Sequence, residues 1–383
     1  MEFEFLSPVE PNIIEFAASL SQKQLGSTLV KNLINNFPDL TNIKIAIVGV
    51  LENRNDAEAT SAVDVSHIRK EIYQLYPGNW ENIVADLGDV HQGETTEDTF
   101  FALKLITERL VKLEIIPIII GGTQDLVYPI YRAFDNLDQM INLVSVDNKF
   151  DFGKEDEPVK VDSYLSRIIA DEPNNLFNFS NLGYQTYYNA QEEIDLIEKL
   201  YFEAYRLGET SNNITIAEPV LRDADVVTID LNSIKSADSG DFTKFAPNGF
   251  DGKEICALAR YAGISCKVKV FGLFNHNNSK NESALISQIV WYFIEGYFFR
   301  NDENPVQNLE NFIKYNVPVE DQQIVFYKSN KTERWWMEIP QFQKANNKAQ
   351  RNTLLPCTKE EYLKCCKLEI PERWWKAQRK NIL

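Results

Sequence analysis

The sequence predicts an α/β protein, a three-layer α/β/α sandwich in which a mainly parallel sheet lies between two layers of helices. Three observations predict it. Short β-branched apolar runs, too brief for helices, recur at 43–50, 83–90, 115–120, 141–147, 226–232 and 268–274. Amphipathic helical stretches alternate with them, and a repeated βα order implies parallel strands with helices on both faces. No Gly-, Ser- or Pro-rich linker divides the first 300 residues, so 43–300 reads as one domain.

Residues 1–42 read as an N-terminal helical extension, with apolar residues at helical spacing over 13–20 and 25–37, stopped by Pro38-Asp39. The first strand, 43–50, is followed by a polar loop and then a helix over 65–75 that Pro77-Gly78 ends. Strand 83–90 runs into a long amphipathic helix over 96–112. Strand 115–120 ends at Gly121-Gly122, where glycines allow a sharp turn or close approach to a ligand. A helix over 126–134, strand 141–147 and a long helical and loop section from 163 to 207 follow. Strand 226–232, the Pro247-Asn248-Gly249-Phe250-Asp251-Gly252 loop, a helix over 253–263, strand 268–274 and an aromatic helix over 282–299 complete the alternation. Residues 301–383 form a C-terminal extension of different character, basic and tryptophan-rich from about residue 331.

Composition narrows the function classes. The 383 residues are 44% hydrophobic, which suits a globular chain with a substantial core. The longest apolar run, 115–120, is far short of the roughly 20 residues of a membrane span, and the first residues lack the basic start of a signal peptide. The expected location is the cytoplasm. Five cysteines without framework or zinc spacing, Cys365-Cys366 adjacent, suit a reducing compartment. Three widely separated histidines form no metal motif. A formal charge of −17 argues against a nucleic-acid-binding body, whose phosphate contacts would need a basic face.

The stretch Val146-Asp147-Asn148-Lys149-Phe150-Asp151 carries the chemistry. The carboxyl ends of parallel strands are where α/β proteins bind ligands, and two aspartates spaced four apart at such an end suggest a divalent metal. Lysine opposes that reading, because a protonated ammonium has no lone pair and repels a cation. Two further strand ends are polar in the same way: Gly121-Gly122-Thr123-Gln124-Asp125 and Thr228-Ile229-Asp230-Leu231-Asn232. Taken singly, a paired glycine is a tight turn and an aspartate is a helix cap. Their order along the chain is what matters.

In that order the three segments resemble the ureohydrolase family of arginase, agmatinase and formimidoylglutamase. The family carries GGDHS, then S-x-D-A-H-x-D, then S-x-D-x-D-x-x-D-P on successive strand ends of an arginase-like sandwich. Asp64-Val65-Ser66-His67-Ile68-Arg69 resembles its G-P-x-x-I-R segment, and Asp86-Leu87-Gly88-Asp89-Val90 its D-x-G-D-V strand. The Pro-Asn-Gly-Phe-Asp-Gly loop is most similar to the formimidoylglutamase branch. The resemblance spans about residues 43 to 300.

The resemblance implies a two-manganese site with two histidine and four aspartate ligands, and a hydroxide that attacks a guanidinium or formimino carbon. Position by position, the histidines fall at Gln124 and Lys149 and the last aspartate at Asn232, while Asp147, Asp151 and Asp230 remain. The substrate-gripping glutamate of arginase would fall near Leu273. The expectation is a catalytically silent member, a pseudoenzyme that has lost its metal and acts by binding or scaffolding, with Lys149 as counter-charge among the three aspartates. One alternative is an active hydrolase with a remodelled site, holding manganese through Asp147, Asp151 and Asp230. Another is a sensor of amine or guanidinium ligands.

Outside that span the expected role is contact with a protein partner. From Lys331 onward the chain has 12 Lys and Arg against 6 Asp and Glu, about +6, leaving −23 on the first 330 residues. Such a tail either folds back on the acidic body or meets a partner. Glu333-Arg334-Trp335-Trp336 and Glu372-Arg373-Trp374-Trp375 hold four of the six tryptophans, so Arg334, Trp335, Trp336, Arg373, Trp374 and Trp375 are candidate interaction residues, or else cover for apolar surface. The resemblance adds an association of formimidoylglutamase-like chains with envelope gliding and secretion machinery, and a homo-oligomer as a further expectation.

Overall fold

The computed structural model describes residues 3–59, 61–78, 80, 83–137, 139–153, 159–242, 245–320, 322–340 and 354–380. The expected basic tail falls in part on 341–353 and 381–383, outside the described residues. The strands, in chain order, are β1 (Val30–Lys31), β2 (Ile45–Val50), β3 (Val84–Val90), β4 (Ile116–Ile120), β5 (Ile141–Val146), β6 (Leu176–Tyr184), β7 (Glu203–Arg206), β8 (Val226–Asp230), β9 (Val270–Phe274), β10 (Phe312–Val319), β11 (Gln322–Ser329), β12 (Trp335–Glu338) and β13 (Leu354–Cys357). The first nine form one sheet in the order β1-β3-β2-β4-β9-β8-β5-β6-β7, and every pairing within it is parallel.

The sequence explains why the sheet is buried on both faces. Strands such as β4, with sequence IPIII, carry no polar face, and each of its residues is buried, as parallel strands covered by helices require. On one face Ile13, Ile68, Ile255 and Ile286 bring helices Pro11–Ser19, Ser66–Gln74, Gly252–Ile264 and Lys280–Phe298 onto the strands. On the other, Leu103, Ile130, Ile168 and Ile197 seat helices Thr96–Lys112, Val127–Arg132, Tyr164–Ala170 and Gln191–Lys199. The result is the predicted α/β/α sandwich. Helix Thr96–Lys112 begins where Thr95 and Asp98 cap each other reciprocally, which satisfies two otherwise orphaned amides.

Two segments resembling the family's flanking motifs meet here. Arg69, buried in helix Ser66–Gln74, donates to Asp86 at 2.8 Å and to both oxygens of Asp89 at 2.8 and 2.9 Å. It ties that helix to β3.

Two local expectations differ from the structure. The helix expected over 25–37 stops at Thr28, and Val30–Lys31 then pairs with Ala85 and Asp86 as the edge of the main sheet. Asn32 fixes this by donating its side-chain amide to the Leu87 carbonyl at 3.0 Å. The stretch 163–207 contains β6 and β7, not helices and loop alone. Strand β6 hides its nature behind Asn178, Ser180 and Asn181, polar residues whose hydrogen bonds make a buried strand tolerable.

Beyond the sandwich, β10 to β13 form a four-stranded antiparallel sheet. Helices Lys359–Cys365 and Glu372–Lys380 accompany it, with Phe326, Met337 and Trp374 in its own core. This unit lies against β7 and helix Ala217–Arg222. Arg373 meets Glu203 of β7 at 2.8 Å, Arg379 donates to Tyr201 at 3.3 Å, and Arg334 meets Glu218 at 3.1 Å. Among the described residues no helix is long and apolar enough to cross a membrane.

Candidate functional site

Because all nine strands run the same way, their carboxyl ends open on one side, and the order β4-β9-β8-β5 sets four of them side by side. At the end of β4, Gly121 and Gly122 have φ of +110° and +68°. A Cβ on Gly122 would stand 2.5 Å from the Glu52 carbonyl, so only glycine turns the chain there. That turn buries Gln124 completely. Its Nε2 lies 3.4 Å from the Ser145 hydroxyl and 3.5 Å from the Tyr164 hydroxyl, and its Oε1 is buried without a partner.

Register places Val146 of β5 beside Ile229 of β8, so Asp147 and Asp230, the next residue on each strand, are neighbours. Asp147 Oδ1 accepts the Lys149 backbone N–H at 2.9 Å. Asp230 Oδ1 accepts the Asn232 N–H at 2.7 Å, and its Oδ2 accepts the Asn275 amide at 2.9 Å. Asn275, just past β9, also accepts the Gln124 N–H at 3.1 Å. One amide thus braces the ends of β4, β9 and β8. Asn232 joins through its backbone carbonyl, which accepts from Asn148 at 2.9 Å.

Asp151 sits at φ +57° with its carboxyl in hydrogen-bonding reach of Asp147. Burial, then the charges of Asp151 and Asp230, push the Asp147 carboxyl far up. Burial and Asp230 likewise raise Asp151, against the opposing pull of Lys149. The pair is therefore built to share a proton.

The structure brings Gln124, Asp147, Asp151 and Asp230 together, as the motifs imply, but it does not put the lysine in their midst. Lys149 is exposed; only its backbone bonds inward, donating to Asp147 and accepting from Asn181 at 2.7 Å. Its ammonium forms no ion pair with the described residues. The expected central counter-charge is corrected to an exposed one whose pull still reaches Asp151, for a simple reason: β5 stops at Val146, so the alternation that would align Asp147, Lys149 and Asp151 on one face is broken before the lysine. Leu273 is buried in β9 between Ile120 and Ile229 and offers no polar atom to a ligand.

Several residues here went unsingled in the sequence. Asn275 is the chief one, and the polar run Asn275-His276-Asn277-Asn278 directly after an apolar strand was the available signal. These residues line a hollow of about 350 Å³ together with Gly122, Thr123 and Asp241. His276 Nδ1 accepts the Asn278 N–H at 3.3 Å, which leaves the proton on Nε2, a buried atom without a partner. Burial holds this imidazole down to about 4, so it is neutral and its lone pair is engaged. Glu282 accepts the Asn277 N–H at 2.7 Å, and burial raises its carboxyl to about 8.

The tail candidates lie elsewhere, and most are engaged within the chain. Trp335, Trp336 and Trp374 are buried. Trp336 stacks under Arg222 of the sandwich with 4.3 Å from guanidinium to ring centre, and Trp374 donates to the Glu338 carbonyl at 2.9 Å. Arg334 and Arg373 pair with Glu218 and Glu203. An indole with both faces covered cannot serve as an interface anchor, so of the six only Trp375 is left exposed, at 38%.

A sequence model of the arginase family matches residues 44–271. The chain belongs to the arginase family. Solved structures agree on the fold. Formiminoglutamase from Trypanosoma cruzi, crystallised with Mn2+2, aligns with a TM-score of 0.64 at 15% identity over 73% of this chain and 99% of that one. Formimidoylglutamase from Bacillus subtilis gives 0.60 at 14% identity over 69% and 95%. Agmatine ureohydrolase from Thermoplasma volcanium gives 0.58 at 17% over 74% and 98%. No curated protein sequence matches the chain. The matched span of the arginase-family model ends before the four-stranded sheet.

Proposed function

We propose that this arginase-family protein has given up two-metal hydrolysis and acts through binding. The observation that carries the proposal is the donor set at the β4, β5 and β8 ends. Where the family resemblance implies two imidazoles, the chain has a carboxamide, Gln124, and an exposed ammonium, Lys149; where it implies a fourth carboxylate, it has Asn232. An ammonium offers a cation no lone pair. Asp230 is braced by Asn275. These residues do not fit a dimanganese centre. Among the described residues no group of three or more His, Cys, Asp and Glu is arranged to hold a metal.

Without a metal the pocket lacks a means of generating hydroxide at neutral pH. The imidazole nearest it, His276, has no lone pair to spare. Its remaining chemistry is recognition by hydrogen bonds.

The test is protein purified without added manganese, assayed for bound metal by plasma mass spectrometry and for hydrolysis of arginine, agmatine and formimidoylglutamate. Substoichiometric manganese and no release of urea or formamide is the expected result. One or two manganese ions per chain together with turnover would overturn the proposal. The triple variant Gln124→His, Lys149→His, Asn232→Asp asks in addition whether the site is latent; metal uptake by the variant alone supports loss through these three residues.

A further inference from the structure

A second cleft, of about 530 Å³, opens at the seam between the sandwich and the C-terminal unit. It sits by Arg222 and Asp223, just before β8, and so at the amino end of the sheet, opposite the strand-end site. One wall is the end of helix Gly252–Ile264 and Lys267, a second the segment 301–307, and the third Arg334, Trp336 and Pro356 of the C-terminal unit. Clefts at such junctions are where small ligands commonly bind, and this one lies in the usual size range of roughly 300–1,000 Å³.

Its central group is Arg222. The side chain is only 8% exposed. Its Nη2 donates to the Trp335 carbonyl at 2.9 Å, and the guanidinium lies on the Trp336 ring. Its Nη1 is buried with no acceptor. Leaving donors of a charged group unsatisfied is costly. A second guanidinium adds to the deficit: Arg222 and Arg334 both approach the same oxygen of Glu218, at 3.2 and 3.1 Å. Two cations share one carboxylate oxygen.

The rest of the lining sets the ligand's charge. Lys267 is satisfied by Asp223 at 2.7 Å. Glu303 accepts the Thr332 hydroxyl at 2.7 Å and stands 3.8 Å from Arg334, while Asp302 is exposed at the mouth. Arg222, Lys267 and Arg334 are thus matched in number by Asp223, Asp302 and Glu303. A phosphate dianion would meet Asp302 at the mouth and Glu303 beside Arg334. A ligand carrying both signs and no net charge meets neither objection.

We infer that this seam cleft binds a small zwitterion of the α-amino acid type. Its carboxylate accepts from Arg334, whose guanidinium shares Glu218 with Arg222, its ammonium faces Asp302 and Glu303, and its side chain lies along Ile264, Leu354 and Pro356. The inference is independent of the reading of the strand-end site, since the two lie at opposite ends of the sheet.

The experiment uses the full chain. The common L-amino acids are screened singly at millimolar concentration by thermal shift, and any that raise the melting temperature are measured by calorimetry. At least one is expected to bind at one per chain, while its deaminated acid and decarboxylated amine bind at least tenfold more weakly. Asp302→Asn, an exposed position, should weaken binding at least tenfold without changing the melting temperature of the free protein; Arg334→Gln should weaken it similarly. Absence of binding by every amino acid overturns the inference. So does binding that both variants leave unchanged, or an amine that binds as well as its amino acid.

Discussion

At the scale of single residues, charge in the strand-end site is managed by protons and amides. Lysine spacing suggested an internal ammonium, but the chain leaves the strand at Val146 and reverses through positive φ at Asp151, so the lysine points away from where a continuous strand would have put it. Lys149→Met should then change stability by no more than about 0.5 kcal/mol, measured by urea unfolding; a loss of about 3–5 kcal/mol, the cost of stripping a buried carboxylate of its counter-ion, would restore the lysine to the centre. A pH profile tests the neighbouring groups. Glu282 has its folded pKa raised from 4.5 to about 8, so its stabilising contribution is full below about 4.5 and is lost as pH climbs to about 8. His276, lowered from 6.5 to about 4, does the opposite: its contribution is full above about 6.5 and is lost as pH falls toward 4. Glu282→Gln should therefore stabilise the protein above pH 8, by on the order of a few kcal/mol. Equal melting curves for variant and parent at pH 8.5 would show that Glu282 is not held neutral.

At the scale of elements, what was legible followed apolar continuity. Strands β2, β4, β5 and β8 announced themselves as β-branched runs, and helix Thr96–Lys112 is found where its periodicity put it. Strand β6 did not, because Asn181 is made tolerable in a buried strand by a partner distant in sequence, the Lys149 carbonyl. Asn275 escaped for the same reason: bracing is a property of three strand ends at once and leaves no local pattern. The tail was legible as charge but not as contact. Arg373 turned out to bond Glu203 and the Pro356 carbonyl, each at 2.8 Å. Against the burial that would raise it, Arg373 and Lys380 hold the Glu203 carboxyl below its ordinary range. Arg373→Met would strand that carboxylate, with an expected loss of about 3–5 kcal/mol, seen as faster hydrogen exchange over 372–380 and a red-shifted Trp374 emission. Adding Glu203→Gln should recover part of it. Exchange that stays at the parental rate would mean the helix is docked by its apolar face alone.

At the scale of the whole molecule, the sandwich and the C-terminal unit are joined by ion pairs and by the stacking of Arg222 on Trp336. Trp336 is covered by an arginine from the sandwich, and β7 of the main sheet by a helix from the tail. The seam is long-range in the plainest sense: Glu203 and Arg373 are 170 residues apart. At a synthesis rate of ~5–20 residues per second, β7 leaves the ribosome roughly 10–35 s before the helix that shields it. For that interval the nascent chain exposes a buried carboxylate and one open flank of a large parallel sheet, the kind of edge on which chains stick together. Helix Glu372–Lys380 thus closes the flank that β7 leaves open, and a chain cut short before it is expected to aggregate through that edge.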